Sequence, residues 1–251
     1  MTTIYAEPRI LPCGDRAVSV ELGDGISRDV NARVLALDYL IRAQSPAGVL
    51  ETVPSYRALL VYYDPFVVGY AEVVEVLRGL AARARPDVMP PARLVELPCC
   101  YEGDLGFELE AAAAKLGLGA DAVVALHAAA EYRVDFVGFT PGLPYLSGMP
   151  ERLFIPRLES PRVKTPPGSV SIGGMQCCIY SVESPGGFWV LGRTPVRLYD
   201  PAAADPILLR AGDRVRFRVI HRAEFDAIAA AVSAGSYKPR IDDFGSGKIS
   251  P

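Results

Sequence analysis

Phe136-Val137-Gly138-Phe139-Thr140-Pro141-Gly142-Leu143-Pro144-Tyr145-Leu146 is the stretch on which the reading of this chain turns. A β-type apolar run enters it, and closely spaced glycine and proline interrupt it. Three later segments share that texture. One is Pro156-Arg157 together with Pro161-Arg162-Val163-Lys164-Thr165-Pro166-Pro167-Gly168-Ser169-Val170. The next is Ile172-Gly173-Gly174-Met175-Gln176. The last is Ser184-Pro185-Gly186-Gly187-Phe188-Trp189, which runs into Gly192-Arg193-Thr194-Pro195. Short β-type runs recur around them at 134–139, 170–172, 176–180, 188–191, 196–199 and 215–220. Helical periodicity is almost absent between Tyr132 and Arg222. Several short strands joined by long turns predict a small β-barrel or sandwich.

These glycines and prolines are spaced too closely for ordinary hairpins. Glycine lets a ligand or a second backbone approach closely, and proline holds a loop rigid before anything binds. A β scaffold carrying such loops, with arginine and hydroxyl side chains among them, suits a pocket for a small anion. Arg157, Arg162, Lys164 and Arg193 could clamp a carboxylate or phosphate, the arginines through a bidentate fork. Each of them alone also suits a surface charge, and Pro-Gly turns are common in any β-barrel. No G-x-x-x-x-G-K-[ST] phosphate loop and no G-x-S-x-G nucleophile elbow occurs.

Outward from this region, 104–116 and 121–131 read as helices rich in alanine and leucine, and 223–232 as a last helix. The first hundred residues alternate cleanly. A strand at 10–22 is followed by a helix capped by Ser27, with Val30, Val34, Leu37, Leu40 and Ile41 on one face. Strands at 49–53 and 58–63 follow, then a helix with Val73, Val76, Leu77 and Leu80, then a strand at 93–100. That βαββαβ order predicts a ferredoxin-like split-βαβ domain over 1–92, with the last strand assignable to either neighbour. A second domain over 93–232 and a polar tail over 233–251 complete the chain.

At 251 residues two domains are expected, and 50% hydrophobic residues make the chain an ordinary globular one. A net charge of -3 offers no basic face for nucleic acid. The N-terminus has no signal-peptide pattern and no run of apolar residues is long enough to span a bilayer, so the expected compartment is cytoplasmic. Cys13, Cys99, Cys100, Cys177 and Cys178 include two adjacent pairs. Neighbours on a strand point to opposite faces, so these are expected to be buried free thiols rather than a metal site or a disulfide framework. His127 falls in a predicted helix one turn from Glu131, which suits either a packed histidine or an acid/base pair. His221 reads as a surface residue, and Trp189 as core.

The ordered residues Gly14-Asp15-Arg16-Ala17, Val53-Pro54-Ser55-Tyr56, His127, Tyr132-Arg133-Val134, Gly138-Phe139-Thr140-Pro141-Gly142, Tyr145-Leu146, Pro156-Arg157, Pro167-Gly168-Ser169-Val170, Gln176, Ser184-Pro185-Gly186-Gly187 and Gly192-Arg193-Thr194-Pro195 resemble the family of KipI and the 5-oxoprolinase B component (PxpB), also called allophanate hydrolase subunit 1. The resemblance covers nearly the whole chain. It implies an α+β protein in which the N-terminal domain precedes a cyclophilin-like β-barrel. It also implies a second cyclophilin-like partner (the C component, or allophanate hydrolase subunit 2), a further A component, and ATP-dependent opening of 5-oxoproline to glutamate. ATP is then expected on a separate polypeptide, with no metal or organic cofactor on this chain. The sequence departs from the family at Lys164-Thr165-Pro166-Pro167, Tyr180-Ser181, Phe188-Trp189 and Cys177-Cys178, which bears on the substrate.

Within that activity, side-chain chemistry assigns His127 or Tyr145 to proton transfer. Arg157, Arg162, Lys164 and Arg193 would supply charge, Gly168, Ser169, Gly186 and Gly187 backbone donors, and Gln176 and Thr194 polar contacts. The alternative is a KipI-like inhibitor of a sensor histidine kinase, which would work through an exposed apolar patch.

Overall fold

The computed structural model describes residues 2–243 and divides the chain into two compact units, Met1–Pro91 and Ala92–Pro251. The architecture is mixed α+β. In the first unit β1 (Ile4–Pro12) and β2 (Ala17–Gly23) precede α1 (Arg28–Gln44), β3 (Val49–Pro54), β4 (Ala58–Tyr63) and α2 (Tyr70–Arg83). The four strands form one antiparallel sheet in the order β1-β2-β4-β3. Ser27 starts α1 by accepting the Val30 N–H at 3.1 Å, and Ser45 ends it in the left-handed region with φ 43°. Val18, Val20, Leu22, Leu59 and Val61 on one sheet face bury against Val34, Leu37 and Ile41 of α1 and Val73 and Leu77 of α2.

Two expectations for this unit change. The strand predicted over 10–22 is a hairpin, because Gly14 at φ 68° turns the chain and the Cys13 N–H closes on the Ala17 carbonyl at 2.8 Å. The βαββαβ order also gives way, because the 93–100 strand, assignable to either neighbour, pairs in the second unit. The sheet edge beside β2 is filled from the N-terminus by β1, so the element order is ββαββα.

The second unit runs β5 (Arg93–Cys99), α3 (Leu109–Leu116), α4 (Ala120–Ala129), β6 (Glu131–Val137), β7 (Pro144–Ser147), β8 (Arg162–Thr165), β9 (Ser169–Gly173), β10 (Gln176–Ile179), β11 (Ser184–Gly186), β12 (Trp189–Arg193), β13 (Arg214–Val219), α5 (Arg222–Ser233) and β14 (Arg240–Asp243). Eight strands join in the order β12-β9-β10-β7-β6-β13-β5-β14, with β5 and β13 the parallel pair. The sheet curls until reciprocal backbone hydrogen bonds of 2.9 and 2.8 Å tie Cys100, at the end of β5, to Arg193 of β12. Val95, Leu97, Tyr132, Val134, Leu146, Val170, Ile172, Leu191 and Phe217 fill the interior so enclosed. β8 and β11 form a separate two-stranded ladder.

Pattern reading placed most of these strands but not β7, β8, β11 and β14, which are short or lie in Pro/Gly-rich sequence. The 196–199 run contributes only a bridge between Tyr199 and Ile207. The helix expected over 104–116 starts at Leu109 after a 3₁₀ turn at Gly103–Gly106. Of the expected polar tail, residues 240–243 pair as β14 with β5, and 244–251 lie outside the described residues. The adjacent cysteines face opposite ways, Cys177 into the main core and Cys178 into a smaller cluster with Leu143, Tyr180 and Phe188. Among the five thiols Cys13 is exposed, contrary to expectation. Among the described residues no helix is long and apolar enough to cross a membrane, and no group of His, Cys, Asp and Glu is arranged to hold a metal ion.

Candidate functional site

The loop between β6 and β7 edges a cavity of about 330 Å³ in the second unit. Its walls come from that loop (Phe139, Leu143, Tyr145), from β10 and the residue after it (Cys178, Tyr180), and from Gly186, Gly187 and Phe188 around the end of β11. Arg157 supplies its cation. The guanidinium lies 4.7 Å from the Phe188 ring centre and donates to Gln176 Oε1 at 3.3 Å, so it is aimed without being neutralised by a carboxylate. Gly173 makes this stacking possible, since a Cβ there would lie 2.8 Å from the Phe188 ring.

Two phenols face the same space. Tyr145 stacks on Phe136 at 4.4 Å and 18°, and burial raises its pKa above the ordinary tyrosine value. Tyr180 is pushed up to about 12, chiefly by burial, so its hydroxyl is a hydrogen-bond donor at neutral pH. Gly186 must be glycine, because a Cβ would meet the Tyr180 hydroxyl at 1.9 Å. At the mouth stands Phe139, 64% exposed and in the left-handed region at φ 69°. A bulky residue held there costs on the order of 1–3 kcal/mol, and such strain concentrates at ligand clamps. The Gly138 N–H to Leu143 carbonyl bond (3.0 Å) and the Leu143 N–H to Thr140 carbonyl bond (3.2 Å) hold the loop in that shape.

The predicted site residues do not converge on one place. Tyr145, Arg157, Gly186 and Gly187 line this cavity, with Gln176 touching it through Arg157. Arg162 has another task. Its guanidinium bonds Glu108 at 2.5 Å and the Phe188 carbonyl at 2.6 Å, while Glu108 also accepts the Val190 N–H at 2.7 Å. It therefore fixes the cavity wall rather than offering charge to a ligand. Lys164 is exposed and paired with Glu183 at 3.0 Å. Gly168 and Ser169 are not free backbone donors, since their N–H groups bond the carbonyls of Tyr180 and Pro166. Gly168, at φ 82°, instead lets the chain pass against Thr194, whose carbonyl would lie 2.3 Å from an added Cβ. Arg193, Thr194 and Gly168 line a second cavity, under α5.

His127 is the clearest correction. It is wholly buried in the main core, with Tyr132 and Phe217 rings at 5.2 and 4.7 Å. Its Nδ1 meets the Tyr101 hydroxyl at 2.8 Å and its Nε2 the Cys177 thiol at 3.6 Å. Burial drives its pKa down to about 3 and leaves it neutral, touching neither cavity. The expected partnership with Glu131 fails because α4 stops at Ala129. Glu131 opens β6 and pairs with Arg214 and Arg216. Sequence reasoning missed Phe139 and Tyr180 as cavity residues. Tyr180 ended a strand pattern without distinction, and the backbone strain at Phe139 has no local sequence signal.

Comparison with known proteins gives a consistent set of relatives. The model of the family described as carboxyltransferase domain, subdomain C and D, matches residues 8–209. The chain is 48% identical over 204 residues to the 5-oxoprolinase B component of Escherichia coli O157:H7, covering 81% of this chain and 92% of that one. It is 36% identical over 237 residues to the 5-oxoprolinase B component of Bacillus subtilis (strain 168), covering 90% and 98%. Among solved structures, TTHA0988 superposes with a TM-score of 0.74 at 39% identity over 82% of this chain, which spans only 40% of that longer one. The Kluyveromyces lactis urea carboxylase shares the fold, with a TM-score of 0.78 at 20% identity over 96% of this chain and 25% of its own.

Proposed function

The chain belongs to the family of 5-oxoprolinase B components, and from that premise we propose that it is the B component of an ATP-dependent 5-oxoprolinase, which opens 5-oxo-L-proline to L-glutamate. The observation that carries the site is Arg157, an arginine without an ion pair among the described residues, stacked on Phe188 at the wall of a largely apolar cavity. The substrate is a small lactam ring bearing one carboxylate. Arg157 would take the carboxylate, Phe139, Leu143 and Phe188 the ring, and the protonated hydroxyls of Tyr145 and Tyr180 the polar edge of the lactam. Of the two candidates for proton transfer, Tyr145 lines the cavity and His127 does not.

A lactam carbonyl is a poor electrophile, and coupling to ATP supplies activation at its oxygen. What this chain's residues contribute is orientation of the carboxylate, donors beside the carbonyl and exclusion of water. ATP would bind a separate polypeptide, since this chain carries no phosphate-loop motif. The partners we infer are a second cyclophilin-like protein, the C component, and a further A component. In support, the region matched here is one part of longer polypeptides in relatives such as TTHA0988. We read the first unit as ferredoxin-like, with its edge strand supplied by the N-terminal hairpin, and the second as the cyclophilin-like barrel. Relatives named as enzyme components at 36–48% identity favour this over the kinase-inhibitor reading. The cytoplasm is the compartment in which such a complex would meet ATP.

The test is glutamate formation from 5-oxoproline and ATP by the three co-purified components, with wild-type chain and with Arg157→Ala. Losing one charge-assisted contact to the carboxylate is worth about 1.5–3 kcal/mol, a fall of roughly 10- to 150-fold in kcat/KM. Absence of product with all three wild-type components present would reject the assignment.

A further inference from the structure

α5 is an amphipathic helix seated near its start, where Phe225 and Ile228 pack against Cys100, Leu105 and Ile220. Phe225, Ala229 and Val232 fall on one side at helical spacing and face the protein, yet no residue of the helix is fully buried. The space beneath is a cavity of about 290 Å³ between α5 and the 193–197 segment, followed by a smaller one of about 190 Å³ that shares Val196, Arg197 and Val232.

Its polar wall has an uneven balance of charge. Arg193 is half-buried at the end of β12 and spends its Nε on the Pro167 carbonyl at 2.7 Å. The guanidinium has no ion pair among the described residues, and burial lowers its pKa from the ordinary arginine value. The nearest acidic influence is Asp104, whose carboxylate is held by Arg222 at 2.6 Å. Arg197 is paired with Asp200 at 3.1 Å. One cation without an ion pair among the described residues therefore faces a space whose opposite wall, on α5, is Phe225, Ala229 and Val232 with the Ser233 hydroxyl at its end.

The other polar groups narrow the ligand. The N–H groups of Gly168, Ser169, Thr194 and Val196 are all used inside the fold, and the Ser181 hydroxyl donates to the Pro141 carbonyl at 2.6 Å. A doubly charged phosphate would need several free donors and more than one free cation. A single carboxylate needs one guanidinium fork, and an attached aliphatic chain would cover Ala229 and Val232.

We propose that the cavity between α5 and the 193–197 segment is a second binding site, separate from the Arg157 cavity, that takes a monocarboxylate with a short aliphatic body on Arg193. It stands whether or not the Arg157 cavity takes a lactam.

The test is titration of the full chain with pentanoate, followed by amide chemical-shift changes, beside acetate and inorganic phosphate as comparison ligands. Saturable pentanoate binding is expected, at least tenfold tighter than acetate or phosphate. Arg193→Gln should weaken it tenfold or more, and Arg157→Gln should leave it unchanged. Ala229→Leu, which fills the cavity from the helix side and leaves Arg193 in place, should weaken it to the same extent. That variant decides the matter if Arg193→Gln does not fold. The proposal is overturned if pentanoate does not saturate, if phosphate or acetate binds as tightly, or if Arg157→Gln abolishes binding while Ala229→Leu does not.

Discussion

Replacing His127 by glutamine should remove a pH dependence from folding while leaving catalysis in place. The folded pKa of His127 is about 3 against an ordinary 6.5, because the ring is buried among Tyr132, Phe217 and the Tyr101 hydroxyl. A folded value below the unfolded one means that the unfolded chain takes up the proton first as pH falls. The stability is complete above about pH 6.5 and is lost progressively down to about pH 3. At pH 5 the unfolded state lies about 1.5 pH units below its own pKa, which favours it by about 2 kcal/mol at ~1.4 kcal/mol per unit. For a unit of this size that corresponds to roughly 4–8 °C in Tm. The assay is urea or thermal unfolding of wild type and His127→Gln at pH 7.5 and pH 5. Carboxylates elsewhere titrate equally in both proteins, so the difference between the two pH shifts isolates the histidine. The glutamine variant should be less stable at pH 7.5 but lose about 2 kcal/mol less on acidification. In the assembled enzyme it should keep its kcat. With only two histidines in the chain, the ring proton of His127 can be followed directly by NMR. Titration of that signal near 6.5, or equal acid sensitivity of wild type and variant, would refute the argument.

Phe139→Gly should raise stability by about 1 kcal/mol, because glycine accepts the φ of 69° without strain, while raising the KM for the substrate. Thermal unfolding and steady-state kinetics measure the two effects, and loss of stability would show that the Phe139 conformation is not strained. Arg162→Ala should cost about 3 kcal/mol, since it strands Glu108 and the Phe188 carbonyl in partly buried positions. Because Arg162 shapes the cavity through Phe188, its loss should raise KM more than it lowers kcat. A variant as stable as wild type by urea unfolding would overturn that role.

Local pattern carried a good deal of this protein. Apolar residues at helical spacing after a Ser27 cap were enough for α1, and alternation was enough for β2 and β4, because burial of one face is a property each segment expresses alone. The same alternation settled the cysteines, sending Cys177 and Cys178 to opposite faces of β10. The Pro/Gly-dense loops at 138–142 and 184–187 were legible as the place where a pocket would form.

Tertiary structure alone decided which of the residues on those loops act together. Arg157, Arg162 and Arg193 look alike in sequence. They differ because Glu108, from a distant turn, neutralises the second, while Phe188 stacks on the first and nothing acidic among the described residues pairs with the third. His127 lost its candidate role for the same reason. A helix histidine near a glutamate reads as an acid/base pair until the chain's path is known. Here α4 stops at Ala129, and the ring packs between β6 and β13 where a charge cannot be solvated. Strand partnership was equally out of reach, since the edge beside β2 is filled by β1 rather than by the strand the element order suggested. Residue type and spacing fix which faces are apolar. Whether a charge ends up paired, buried or free depends on segments far away in the sequence.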